Sequence, residues 1–285
     1  MDSLDLTSLP RVVVGLSNAD YHAEREFDSR SFLLAVMKGG GESQLWMQQG
    51  KSLFSGNSAT STGTEFDAVV TAVLEGKSFD DTVVVPPDDV LGANGSRSTK
   101  AYREWAANQT AVCVTADIKT KYGIMLDNMR GCDAVYKLME RTIKTQMSVF
   151  FEAFGHKLKV RPDACTNTEW WDLKTTSATW DRLHYSVRDY GYAEQAWLYT
   201  QGAKQVGYKN FRFPFVFVQT VPPFAVRARY LPPEMVEEAG VQLINVMEEV
   251  RLRRSTGMYY PADAGEITEM EIPAWALKTE EVVTL

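Results

Sequence analysis

Residues 161–176, RPDACTNTEWWDLKTT, carry the reading that decides the fold. Arg161-Pro162-Asp163 closes a stretch in which Lys157, Lys159 and Arg161 alternate with Leu158 and Val160, a period of two that predicts a strand over residues 156–163. Thr166, Asn167 and Thr168 supply a turn, and residues 169–176 predict the next strand. Side chains two apart on a strand share a face, so the Asp172 carboxylate and the Lys174 amine project together while Leu173 enters the core. The turn folds the preceding strand back alongside and brings Asp163 near Asp172. Two carboxylates that close repel unless a cation lies between them, and hard oxygen ligands select Mg2+ or Mn2+. A lysine beside such an ion would orient or deprotonate a water. The bland alternative is a surface hairpin with an i, i+2 ion pair.

Working outward, residues 147–154 predict a strand, residues 190–206 a long helix, and residues 213–219 and 225–230 two further strands around Pro222-Pro223. Pro232-Pro233 open a last helix that continues to about Arg254. Upstream, residues 29–37 predict a helix stopped by Gly39, Gly40 and Gly41, and residues 55–62 a Ser/Thr/Gly-rich loop. In the helix after it, Phe66, Val69, Val70 and Val73 form one stripe, with Asp67 one position off it. Residues 86–99 are turn chemistry, and helices follow over residues 99–108 and 115–141, the second broken near Gly131. This order predicts a single α/β domain over residues 1–285, a small mixed sheet flanked by helices. Its parts are a polar lead-in (1–20) with a short apolar stretch at 12–14, a mostly helical part (21–142), a core (143–256) and an acidic tail (257–285).

The chain has 285 residues, 30 Lys plus Arg against 37 Asp plus Glu, a net charge of -7, and 45% apolar residues, enough to bury a sizeable core. Most of the net charge lies in residues 262–285, where Asp263, Glu266, Glu269, Glu271, Glu280 and Glu281 stand against a single Lys278. Lys137, Arg141, Lys144, Lys157, Lys159 and Arg161 cluster around the predicted strands, and Arg251, Arg253 and Arg254 crowd the last helix, as candidate phosphate contacts. Three Cys without a CxxC pair argue against a disulfide framework and for a reducing, cytoplasmic setting, and neither a signal peptide nor a membrane span is expected. Cys165 reads as a turn or packing residue, and most of the seven Trp, Trp170 and Trp171 included, as packing rather than base-stacking residues. Gly50-Lys51-Ser52 and Gly76-Lys77-Ser78 lack the earlier glycine of a phosphate-binding loop, and GxGxxG, GxSxG and HExxH are absent. His22, His156 and His184 are too scattered for a zinc hydrolase or a Ser-His-Asp enzyme.

The spacing of Asp163, Asp172 and Lys174, P-D-x8-D-x-K, resembles the motif of the PD-(D/E)xK nucleases, and Asp172-Leu173-Lys174-Thr175-Thr176 is similar to the DLKTT run of their RecE-like, lambda-exonuclease-like (YqaJ-like) branch. Tyr21-His22-Ala23 followed by Ser29 and Ser31 resembles the opening of that branch, and Gly63-Thr64-Glu65-Phe66-Asp67 its GTxxH helix motif. Gly191 to Tyr199 resembles its gYxxQaaxY helix, with Gln195 and Tyr199 on one face. The resemblance runs over roughly residues 20–200. It implies a restriction-endonuclease-like core and a metal-dependent DNA exonuclease, 5'-3' on linear duplex, of a phage-type recombination system. It also implies Asp67, Asp163, Asp172 and the Leu173 carbonyl as ligands of one or two Mg2+ or Mn2+ ions. Lys174, Asp172, Asp163, Gln195 and Tyr199 are then catalytic, and Ser29, Arg30, Ser31, Arg161, Thr175 and Thr176 contact DNA.

The implied partners are double-stranded DNA ends, further copies of the chain in a trimeric or tetrameric ring, and a single-strand annealing protein, with no membrane. Two departures stand out: Asp67 replaces the His of many members, and Gln146-Met147-Ser148 replaces a strand start that often carries Glu. Three Cys cannot build the iron-sulfur cluster of some related nucleases. A PD-(D/E)xK endonuclease or single-strand nuclease, and a catalytically inactive nuclease fold serving as a DNA-binding or assembly module, are the alternatives.

Overall fold

The computed structural model describes residues 8–51, 53, 58–209 and 211–273. Its strands are β1 (Arg11–Val13), β2 (Asp28–Ser29), β3 (Val83–Val84), β4 (Val112–Cys113), β5 (Lys144–Thr145), β6 (Ser148–Ala153), β7 (His156–Val160), β8 (Ala164–Cys165), β9 (Trp170–Thr176), β10 (Phe215–Gln219) and β11 (Val226–Arg229). Instead of one small mixed sheet they form, among the described residues, a four-stranded sheet in the order β1-β6-β7-β2, a mixed five-stranded sheet in the order β11-β10-β9-β8-β5, and the pair β3-β4. Helices flank the sheets, so the α/β class holds.

The expected strand over residues 156–163 ends at Val160, because the chain changes sheets at Arg161-Pro162-Asp163. Pro162 has no amide hydrogen to give to a ladder, which suits it to the crossing. The segment that folds back on β9 is the two-residue β8, with Ala164 opposite Trp171 and Cys165 opposite Trp170. Continued by one residue, that register sets Asp163 level with Asp172. On its other edge β9 runs parallel to β10, with Asp172 beside Phe215 and Lys174 beside Phe217.

The five-stranded sheet is covered on both faces, which is why β10 (FVFVQ) reads as an unbroken apolar run. Phe215, Phe217 and Trp170 pack on one side with helix Tyr192–Gln205 and helix Pro233–Thr256. Val216, Val218, Trp171 and Leu173 pack on the other with Phe66, Val69 and Val70 of helix Ser58–Leu74 and Met125, Leu126 and Met129 of helix Ala116–Gly131. Each such side chain taken out of water contributes about 1.5–3 kcal/mol. Trp170 and Trp171 are fully buried, as packing residues should be.

The run Gly39, Gly40, Gly41 kinks a helix rather than stopping it: Arg30–Gln48 continues through Gly40 at φ 63 and ψ -152. A Cβ on Gly41 would lie 2.0 Å from the Tyr259 carbonyl oxygen, so the small residue lets the chain after the last helix pass against the kink. The polar segment expected as a loop over residues 55–62 becomes helix from Ser58 onward, and its residues 55–57 lie outside the described residues. In the tail, Lys278, Glu280 and Glu281 lie outside them as well. Among the described residues no helix is long and apolar enough to cross a membrane.

Candidate active site

β9 presents Asp172 and Lys174 on the face that helix Tyr192–Gln205 covers. Asp172 is 4% exposed, and its two oxygens are held separately: Oδ1 accepts a hydrogen bond from Gln195 Nε2 at 2.7 Å, and Oδ2 forms an ion pair with Lys174 Nζ. The Lys174 amine also stands 5.1 Å above the Tyr192 ring. Asp163, at the end of the sheet crossing, accepts the Leu173 backbone N–H on Oδ2 at 2.7 Å. Asp67 comes from helix Ser58–Leu74, turned toward the sheet crossing because it lies off the stripe that buries Phe66, Val69 and Val70.

Gln146 joins the acids. Its Nε2 donates to Asp67 Oδ2 and to Asp163 Oδ1, both at 3.3 Å, and its backbone N–H donates to the Asp163 carbonyl at 2.9 Å. It does so from a left-handed backbone, φ 45, which costs a non-glycine residue about 1–2 kcal/mol. The expected departure at this position is therefore a neutral clasp between two acids.

Burial, and next the charge of Asp172, push the Asp67 carboxyl up to about 7. The same causes in the same order, with Asp67 added, hold Asp163 well above the usual carboxylate range, while Lys174 pulls both down. Acids that raise one another are short of positive charge, and a divalent cation is the group that would supply it. Their donors are hard oxygens, which fit Mg2+ or Mn2+ and not a thiophilic metal; Cys165 is buried in β8 as a packing residue. Among the described residues no three acidic, His or Cys side chains are already gathered as a cage, because Gln146, Gln195, Lys174 and the Leu173 N–H hold the carboxylates instead.

A cleft of about 640 Å³ opens over this group. Asp67, Asp163, Asp172, Leu173, Lys174, Gln195 and Tyr199 line it together with Ser29, Arg30, Ser31, Arg161 and Thr175. Thr176 is not among its lining residues; its Oγ1 accepts the Ala178 N–H at 3.0 Å at the strand end. Tyr199 donates its hydroxyl to the Arg161 carbonyl at 3.1 Å and so holds the sheet crossing. Ser29 caps helix Arg30–Gln48 by accepting the Phe32 N–H at 3.3 Å, and Arg30 donates to the Gly191 carbonyl at 3.1 Å. Helix Ser58–Leu74 approaches β9 closely: a Cβ on Gly63 would stand 3.1 Å from Thr175 Oγ1. Two lining residues, Asn18 and Tyr190, are not singled out by the motifs. Nothing in the sequence marks Asn18, whereas Tyr190 directly precedes the glycine that opens the Gln195 helix.

The basic cluster expected at phosphates is largely committed elsewhere. Lys157 pairs with Glu26, Lys137 with Asp133, Arg141 with Glu169 and Arg253 with Glu249. Lys159 is buried on the carbonyls of Tyr21 and Glu24. Arg254 grips both oxygens of buried Asp28 at 2.7 and 2.8 Å, with His156 Nδ1 3.3 Å from the same carboxylate. Arg161 does line the cleft, yet its guanidinium donates to the carbonyls of Leu16 and Ser17 at 2.7 and 3.3 Å.

Among solved structures, the chain is similar to the crystal structure of a "putative exonuclease" from Eubacterium rectale, with a TM-score of 0.62 over 94% of this chain and 100% of that one. At 14% identity this is a likeness of fold alone. No curated protein matches the sequence. A family model described as a PDDEXK-like domain of unknown function (DUF3799) matches residues 52–270, a span that takes in Asp67, Gln146, β8, β9 and the Gln195 helix, and on that match the chain belongs to this PDDEXK-like family.

Proposed function

We propose that this protein is a divalent-metal-dependent deoxyribonuclease, an exonuclease that hydrolyses linear duplex DNA in the 5'-3' direction. The observation that carries the reading is the pair of adjacent strands that sets Asp163 on the Leu173 N–H at 2.7 Å and Lys174 against Asp172, in a cleft that Asp67 also lines. Membership of a PDDEXK-like family supports a nuclease, and the name of the similar Eubacterium rectale protein supports an exonuclease.

Asp67, Asp163, Asp172 and the Leu173 carbonyl would hold one or two Mg2+ or Mn2+ ions, which supply Lewis acidity at the phosphate and acidify a water. Gln195 orients the Asp172 carboxylate through its 2.7 Å bond. Lys174, which pairs with Asp172, would position the attacking water or stabilise the charge that develops on the phosphate. Ser29, Arg30 and Ser31, at a helix N-terminus lining the cleft, offer backbone N–H groups and a guanidinium to the 5' end of the strand. The motif resemblance extends the proposal to a trimeric or tetrameric ring around duplex DNA, a single-strand annealing partner and a cytoplasmic setting.

Purified protein with Mg2+ or Mn2+ is expected to degrade linear duplex DNA and to spare closed circles, and a 5' phosphate should change the rate. Cleavage of circles would replace the exonuclease by an endonuclease. The position of Gln146 favours one second reading, an inactive DNA-binding module, because a neutral amide spans two of the acids at 3.3 Å. DNA binding without hydrolysis in either metal would support that module and overturn the enzyme.

A further inference from the structure

Four aromatic rings run outward from the core beneath the site. Phe217 packs on Phe215 with centroids 6.0 Å apart, Phe215 stacks on Tyr192 at 5.3 Å with 26° between planes, and Tyr192 stacks on Tyr190 at 5.9 Å with 28°. The inner three are buried, whereas Tyr190 is 60% exposed and lines the cleft that holds Asp172 and Lys174. The series therefore ends in a ring with solvent access at the cleft wall, one ring beyond the Tyr192 face over which the Lys174 amine sits at 5.1 Å.

The turn that carries this ring is held in place. Lys38 Nζ donates to the Asp189 carbonyl at 2.6 Å, and Arg30 to the Gly191 carbonyl at 3.1 Å, so a cation grips the backbone on each side of Tyr190. Gly191 has φ 62, and a Cβ there would meet Leu34 Cδ1 at 2.8 Å, which pins the turn against helix Arg30–Gln48. A rigid aromatic face at the cleft wall suits a nucleotide, whose base stacks on it. Duplex bases are already stacked on one another, so an open ring beside the reacting groups selects a base without a partner.

We propose that Tyr190 is a stacking platform for the base next to the scissile phosphate, and that the site takes nucleic-acid ends whose terminal nucleotides are unpaired. This rests on the nuclease reading above and names the form of substrate. The test is fluorescence anisotropy in EDTA with three probes: a duplex bearing an unpaired tail, the same duplex with an abasic tail, and the same duplex blunt-ended. Tyr190→Leu is expected to weaken binding of the tailed duplex roughly 5- to 150-fold. Making the tail abasic should weaken wild-type binding by a similar factor, with no further loss in Tyr190→Leu, and Tyr190→Phe should bind as wild type does. Equal losses on all three probes, as misfolding or a simple phosphate contact would produce, overturn the proposal. So does a wild-type protein indifferent to the tail bases. If that protein still hydrolyses DNA in Mg2+, the nuclease reading survives; if it neither binds nor cuts, both fall.

Discussion

β7 and β9 carry the same kind of pattern, charged residues alternating with apolar ones, and their lysines reach opposite ends. On β7, Lys157 meets Glu26, and Lys159 is buried on the carbonyls of Tyr21 and Glu24, so both bind the N-terminal segment to the four-stranded sheet. On β9, Lys174 meets Asp172 in a cleft. A period of two says which side chains share a face; what lies on that face is decided by segments far away in the chain. Here residues 21–28 cover the lysines of β7, whereas the Asp172–Lys174 pair of β9 lines a cleft. The β7 lysines therefore hold the fold, and Lys174 of β9 stands with Asp172 in the cleft.

The sharpest way to break this division is to change one residue on each strand. Asp172→Asn and Lys174→Ala are each expected to lower DNA hydrolysis by roughly 10²- to 10⁴-fold in a gel assay with Mg2+. Asp172→Asn should melt at or above the wild-type temperature, because it removes a charge that raises Asp67 and Asp163. Lys174→Ala should melt lower, since it leaves a buried carboxylate without its cation. Full activity in either variant would remove β9 from the chemistry.

Lys159→Ala should show the reverse. It strips two buried carbonyls of their donor and opens space under the N-terminal segment, a loss of about 2–4 kcal/mol in urea unfolding. Its hydrolysis, measured well below its melting temperature, should fall far less than that of the β9 variants. A stability equal to wild type would show that the buried amine does not hold the segment.

Gln146→Glu tests the site's own charge balance. A fourth carboxylate facing Asp67 and Asp163 should destabilise the ion-free protein by about 1–3 kcal/mol. Added Mg2+ should then raise the melting temperature by more than it does in wild type, because the extra charge binds the ion and folding is linked to binding. A smaller Mg2+ response than wild type would mean that the amide oxygen of Gln146 is the better ligand.

Much of the site was legible in the sequence because it is local. Asp172 and Lys174 share a face by strand periodicity, Asp163 meets them through a short turn, and Asp67 stands off its helix's apolar stripe. The clasp was not, since Gln146 reaches Asp67 across 79 residues from a left-handed backbone that no glycine announces. Elsewhere one residue type serves two ends. Gly39–Gly40–Gly41 looked like a stop and is a kink shaped by the chain near Tyr259, and Arg254 looked like a phosphate contact and is spent on Asp28. Such partners lie more than 200 residues apart, beyond any periodic signal.

The finest test of the division is the pH dependence of Lys159 itself. Burial pushes its amine from 10.5 down to about 8, against the charges of Glu24 and Asp28, which raise it, and with that of Arg25, which lowers it. A base whose folded value lies below its ordinary one is charged more readily in the unfolded chain. Between about 8 and 10.5 the unfolded chain then binds more protons, so stability rises with pH through that window and the cost of the buried charge is complete below it. Lys159→Ala lacks this group, so the stability difference between wild type and variant should widen from about pH 8 to about pH 10 in urea unfolding. A difference that stays flat would mean that the carbonyls of Tyr21 and Glu24 favour the charged amine as strongly as burial opposes it.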